Sequence, residues 1–253
     1  MIEVLVLAII QGVTEFLPIS SSSHLILISN YINFNDQNLS IDVSLHIGSF
    51  LAVITYFFKD IINFFRDKKL FYKILLSSFP VMVVGYILVK YNFIDTLRNI
   101  ELIAWTTIIF GILLYIADKF KLQKKINNDL SYKSAIFIGF FQVLSLIPGV
   151  SRSGITITAA RFLKFERYDS AKISFLLSIP TLGAVSIFGL NNLINSESLE
   201  FSFLNLLSIT LSFIFSLITI KFFLSFIQKF SLKIFVIYRI SLGLILLYLS
   251  YLQ

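Results

Sequence analysis

Pro18-Ile19-Ser20-Ser21-Ser22-Ser23-His24 breaks into an apolar run that begins at Ile2. A continuous lipid-facing helix does not tolerate it. A proline, four hydroxyls and an imidazole leave backbone groups unpaired, and each unpaired group in hydrocarbon costs several kcal/mol. A second interruption, Pro148-Gly149-Val150-Ser151-Arg152-Ser153-Gly154, follows a similar apolar run. Segments 2–30 and 134–160 therefore read as re-entrant, their broken backbone lining a wet, protein-walled cavity rather than facing lipid.

The rest of the chain supports a membrane setting. Hydrophobic residues make up 57% of the 253 residues and charged residues 14%, against about 25% charged in soluble domains. Mean hydropathy is +0.88. Six further apolar stretches, 45–58, 74–92, 101–118, 172–190, 203–225 and 235–252, approach the roughly 20 residues a transmembrane helix requires. The fold class expected is an all-α integral membrane protein forming a single membrane domain, 1–253.

The basic residues orient it. Lys59, Arg66, Lys68, Lys69 and Lys73 cluster in one loop; Lys119, Lys121, Lys124, Lys125 and Lys133 in another; Arg161, Lys164, Arg167 and Lys172 in a third. Lys229 and Lys233 lie between the last two spans. The loop 93–100 holds only Arg98, and 191–202 carries Glu197 and Glu200 without a cation. By the positive-inside rule the basic loops are cytoplasmic and the other two external. Both termini then fall outside, and the two interrupted segments enter from opposite faces. The net charge of +7 is thus read as membrane topology and not as a nucleic-acid surface. The N-terminus lacks a basic region and a small-residue cleavage site, so no removable signal peptide is expected.

The two segments also resemble each other. Gln11 and Gln142 follow matching apolar runs; Pro18 and Pro148 follow them, and serines come next, with a one-residue slip between Gln and Pro. Each segment precedes three spans. This pattern predicts an inverted repeat, with halves near 1–118 and 134–253, whose broken helices meet at one site.

Candidate chemistry gathers in these segments. Gln11 and Glu15 share a helix face at i, i+4, and a carboxylate at membrane depth is a functional candidate. Ser20 to Ser23 supply hydroxyls, and His24 can move protons. Glycines, hydroxyls and freed N–H groups around Gly149, Ser151, Ser153, Gly154 and Thr156 suit phosphate, and the Arg152 guanidinium matches phosphate oxygens. His46, followed by Gly48-Ser49, could approach the site but reads more simply as structural; Arg239 either snorkels or pairs inside the bundle. There are no cysteines, which excludes disulfides, thiolate metal sites and cysteine catalysis. Phosphate-loop, HExxH and dinucleotide fingerprints are absent.

Gln11-Gly12-Val13-Thr14-Glu15-Phe16-Leu17-Pro18-Ile19-Ser20-Ser21-Ser22-Ser23-His24 and Pro148 to Gly154, with Phe175 to Pro180 and Tyr238-Arg239-Ile240 in support, resemble the undecaprenyl-diphosphate phosphatase family of the bacitracin-resistance type. The likeness runs along nearly the whole chain. It implies hydrolysis of a C55 isoprenoid diphosphate to the monophosphate that carries cell-wall precursors. It further implies a divalent cation, Mg²⁺ or Ca²⁺, and a bacterial cytoplasmic membrane site open to the outer face. Carried over by position, Glu15, Ser21, His24 and Arg152 are the expected catalytic residues, with Glu15 at the metal. Gln11, Ser22, Gly149, Ser151, Ser153, Gly154 and Thr156 are expected to bind substrate. Ser21 is the expected nucleophile, or positions the attacking water, and His24 moves the proton. The family's first motif glutamate is Gln11 here, one carboxylate fewer for a metal, and its usual small residue before the histidine is Ser23. The expected partners are the polyprenyl lipid, the bilayer and, in one arrangement, a second copy in a homodimer. A transporter or flippase of such a lipid is the alternative reading, since inverted repeats are its usual architecture.

Overall fold

The computed structural model describes residues 1–31, 39–66, 68–91, 93, 97, 99–120, 124–195 and 203–252. Arg98, Lys121, Glu197 and Glu200, used above for orientation, lie outside these. Twelve α-helices are described: α1 Ile2–Thr14, α2 Ser21–Tyr31, α3 Leu39–Tyr56, α4 Phe58–Arg66, α5 Lys68–Lys90, α6 Ile100–Asp118, α7 Ile126–Asp129, α8 Tyr132–Val143, α9 Arg152–Phe162, α10 Arg167–Asn195, α11 Phe203–Lys229 and α12 Lys233–Leu252. A single 3₁₀ turn covers Leu144–Leu146. No strand occurs among the described residues; one isolated bridge joins Lys124 to Phe165.

Five helices, α5, α6, α10, α11 and α12, are long and apolar enough to cross a membrane. α3 and α4 meet the same length and composition test only as a pair, bent by 72° between Ser40–Tyr56 and Phe58–Phe64. Each of the six expected stretches falls on one of these helices. The protein is an all-α, multi-pass membrane protein. In contrast, α1 and α8 are too short to cross about 30 Å of hydrocarbon, and each runs into a break followed by another short helix, α2 or α9.

The spans pack through small and hydroxyl-bearing side chains, which allow close backbone approach where lipid supplies no hydrophobic drive. On the interface of α3 with α11, Ser212 donates to the Leu45 carbonyl at 2.7 Å, and Ser49 bonds both Ser212 (3.1 Å) and Ser216 (3.0 Å). α1 lies along α11 and α8 along α5. In the first contact Gly12 sits so close that a Cβ there would come within 2.6 Å of the Phe215 Cβ. In the second, Ser77 donates to the Ala135 carbonyl at 2.7 Å. At the basic end of the bundle, Asp118 pairs with Arg161 (3.1 Å) and Arg167 (2.7 Å) and accepts from the Leu232 amide at 3.2 Å, tying together the ends of α6, α9, α10 and α12.

The breaks have the same backbone signature. Ser20 has φ 74° and Ser151 φ 71°, each one residue before its helix. Counted from the glutamines the spacing is nine in both cases (20−11 and 151−142), so the one-residue slip at the prolines is recovered before the helix starts. Side chains reach the carbonyls the breaks release. Ser153 donates to the Leu17 carbonyl at 2.7 Å, and Thr106 to that of Pro148 at 2.7 Å. Arg239, fully buried in α12, donates to the carbonyls of Gly149 (2.8 Å), Val150 (3.1 Å), Thr107 (3.2 Å) and Pro18 (3.4 Å). Its guanidinium thus pairs inside the bundle, with backbone from both breaks rather than with a carboxylate.

Arg239→Leu should leave several buried carbonyls unpaired, at about 1–3 kcal/mol each. A fall of at least about 5 °C in the thermal unfolding midpoint in detergent is expected, with Arg239→Lys falling between. An unchanged midpoint in Arg239→Leu would show that the clamp does not hold the breaks.

Candidate active site

The break after α1 turns Glu15 toward the start of α9, where Arg152 is the first helical residue. The two form an ion pair at 2.8 Å between Arg152 Nη2 and Glu15 Oε1, with both side chains largely buried. Ser151 caps α9 by accepting from the Gly154 amide at 3.1 Å, which starts the helix and fixes the direction of Arg152. The second arm of Arg152, Nη1, donates to the Ser174 carbonyl of α10 at 3.2 Å. The charged plane is therefore held at two points.

The other carboxylate oxygen of Glu15 is also occupied. Ser21 Oγ donates to Oε2 at 2.8 Å, and Gln11 Nε2 reaches the same oxygen at 3.2 Å. Gln11 Nε2 also contacts His46 Nδ1 of α3 at 3.0 Å. These groups border a cavity of about 220 Å³, whose wall includes Glu15, Ser20, Ser21, His46, Ser145, Ser151, Arg152 and Thr181. A negative charge, a positive charge and several hydroxyls thus share one small chamber inside an apolar bundle. This combination suits an anionic, oxygen-rich headgroup. The chamber borders an apolar groove of about 500 Å³ between α5 and α10, since Val81, Leu146, Thr181 and Val185 line both.

The described residues contain no group of three or more histidines and carboxylates able to hold a metal. They do fit a hard cation that takes its remaining ligands from a phosphate. The Glu15 carboxylate on the chamber wall is the oxygen donor the chain would offer such an ion, while Gln11, behind the wall, turns its amide nitrogen to Glu15.

The sequence profile of the family described as bacitracin resistance protein BacA matches residues 4–245. This chain belongs to the BacA family. An undecaprenyl-diphosphatase of Pelagibacter ubique (strain HTCC1062) is 50% identical over 99% of this chain and 98% of its own length. An undecaprenyl-diphosphatase of Aliivibrio salmonicida (strain LFI1238) is 42% identical over 97% of this chain and 96% of its own. One from Jannaschia sp. (strain CCS1) is 38% identical over 97% of each.

The structure distributes the expected site residues of this BacA family member unevenly. Glu15, Ser21, Arg152 and Ser151 stand on the chamber wall, and Gln11 lies directly behind it, bonded to Glu15. The remaining expected contacts are in the scaffold. Ser153 bonds the Leu17 carbonyl and Ser151; Thr156 bonds Ser174 Oγ at 2.7 Å; the Gly154 amide is capped; the Gly149 carbonyl is taken by Arg239. Ser22 lies in α2, with its side chain outside the described residues. His24 is not on the chamber wall. Its Nδ1 bonds the Ser20 carbonyl at 2.6 Å, its Nε2 bonds the Tyr238 hydroxyl, and its ring stacks on Tyr238 with centroids 5.8 Å apart. His46, read as structural from its position at the start of a span, is the histidine on the wall. Its signal was weak because the residues that place it are distant in sequence.

Gly149 has φ 92°, and a Cβ there would collide with Thr106 Oγ1 and come within 2.7 Å of the Ile103 carbonyl. Gly149→Ala should therefore lower the unfolding midpoint by several degrees. Gly183→Ala should not, since its added Cβ would meet only the edge of the Phe50 ring at 3.3 Å. Equal midpoints for the two variants would contradict the strained-turn reading.

Proposed function

We infer that this chain hydrolyses undecaprenyl diphosphate to undecaprenyl phosphate and inorganic phosphate. The observation that carries this is a charged, hydroxyl-lined chamber lying against an apolar groove, with four residues lining both. A polyprenyl diphosphate has the same two parts. Its headgroup fits beside Arg152, Ser21 and Glu15, and its tail follows the groove along Met82, Gly85, Tyr86 and Phe188. A further apolar hollow of about 760 Å³ shares Met82, Ala184 and Phe188 with that groove and gives a long tail more room. The named relatives act on this substrate, and the family match covers nearly the whole chain.

The geometry supports a phosphoryl-transfer route. Arg152 neutralises charge on the terminal phosphate. Ser21 Oγ, already donating to Glu15 Oε2, attacks the terminal phosphorus while Glu15 takes its proton. The bond to the bridging oxygen breaks, and its electron pair leaves with undecaprenyl phosphate. Water then displaces the serine oxygen, giving one proton to Glu15 as Glu15 returns the first to Ser21. The geometry favours Glu15 over His24 for this proton, because Glu15 contacts Ser21 and both ring nitrogens of His24 bond elsewhere. His24, by holding the Ser20 carbonyl, shapes the turn that presents Ser21. The Glu15 carboxylate would hold a divalent cation, Mg²⁺ or Ca²⁺. When bound, that cation would offset the charge of the diphosphate.

The halves form an inverted repeat in this reading. The matching positive-φ serines support it, as do the exchanged packings of α1 on α11 and α8 on α5. The basic loops support a bacterial cytoplasmic membrane orientation in which the Gly85–Val89 end of the groove faces outward.

Purified protein should release phosphate from undecaprenyl diphosphate, Glu15→Gln should lose at least about 10²-fold in kcat, and a chelator should suppress the reaction. Movement of intact lipid without phosphate release would instead establish a transporter. Gly85→Phe should raise KM for the C55 substrate by about tenfold or more, while a short-chain diphosphate is little affected. Equal effects on both would remove the groove from the substrate path.

A further inference from the structure

The two histidines of this chain are held in opposite tautomers, and hydrogen-bond valence alone decides which. A carbonyl oxygen only accepts, so His24 Nδ1, 2.6 Å from the Ser20 carbonyl, carries the proton. Its Nε2 is then the acceptor for the Tyr238 hydroxyl. Around His46 the logic reverses. Gln11 presents one amide atom to both the Glu15 carboxylate and His46 Nδ1, at 3.2 and 3.0 Å. An ionised carboxylate paired with Arg152 accepts only, so that atom must be the amide nitrogen. The amide oxygen in its place would face Glu15 in repulsion. With an N–H directed at Nδ1, this nitrogen of His46 must accept, and the proton of the neutral ring resides on Nε2.

We propose that His46 is a substrate-binding residue whose neutral Nε2–H donates to a non-bridging phosphate oxygen of the diphosphate. It stands on the chamber wall with Ser21 and Arg152. Because Nδ1 accepts from Gln11, the ring turns its Nε2–H to the substrate. Its contribution is a fixed dipole aimed at charge that grows on the transferring phosphoryl group. Gln11, which does not line the chamber, acts through His46 and Glu15 as a positioning residue. This inference rests on the phosphatase reading above.

Two measurements test it. The first is phosphate release from undecaprenyl diphosphate by the wild type, His46→Gln, His46→Asn and His46→Ala, each checked for folding by its unfolding midpoint. The glutamine amide places an N–H near the former Nε2, whereas that of asparagine lies near the former Nδ1. His46→Gln should stay within about tenfold of wild type in kcat/KM, while His46→Asn and His46→Ala lose about 10²-fold. Wild-type activity in His46→Ala, or equal losses in the folded Gln and Ala variants, would overturn the proposal. Absence of phosphate release from the wild type would instead overturn the phosphatase reading. The second measurement is independent of activity. ¹⁵N-histidine NMR of the full chain, with the rings assigned through His24→Gln, should show His46 protonated at Nε2 and His24 at Nδ1. The same tautomer at both rings, or a protonated Nδ1 on His46, would overturn the assignment.

Discussion

The ion pair between Glu15 and Arg152 spans 137 residues of sequence and joins the two places where the helical backbone fails. Either charge alone at this depth would be costly. Together, with Ser21 and Gln11 on one carboxylate oxygen and the Ser174 carbonyl on the other arm of the guanidinium, they occupy a chamber that neither segment could build by itself. The bundle is arranged so that this meeting occurs. Short helices α1 and α8 bring the breaks inward, and the hydroxyl-studded faces of α3, α5 and α11 let them pack closely.

A broken helix in a membrane has to find partners for the carbonyls it releases. Here the partners are largely side chains of other elements. Arg239 takes carbonyls from both breaks, Thr106 takes Pro148, and Ser153 takes Leu17. The scaffold and the chemistry therefore share one loop. Arg152 is aimed by a helix whose first residues are spent on capping and cross-linking, which is why several hydroxyls near it do not reach the chamber.

Much of this was legible in the residues. Pro18 to His24 could not be a lipid-facing helix, and its failure identified the first break. Six apolar stretches located the spans, and the basic clusters separated the loops. Glu15 and Arg152 stood out as polar groups in apolar sequence, the family likeness singled out Ser21 from its serine neighbours, and all three line the chamber. Sequence distance hid the rest. His46 looked like an ordinary histidine at a helix start, since only folding brings it to Gln11, thirty-five residues away. His24 had the composition of a proton shuttle, but the Tyr238 ring that engages it belongs to the last span. Gly149, Ser153, Gly154 and Thr156 had phosphate-binding chemistry, and only the tertiary contacts show those groups engaged within the scaffold. Counting from proline misaligned the breaks by one residue, because Gly149 inserts a turn position that the first break lacks.

In the proposed mechanism Glu15 and Arg152 act as one unit across the two breaks. A double-mutant cycle on phosphate release from undecaprenyl diphosphate, using Glu15→Gln, Arg152→Lys and the combination, tests this. Groups that act as a unit lose their effect together, so the double variant should be no more than about threefold slower than the slower single variant. Losses that multiply would mean that the two charges work independently, and would contradict the shared site.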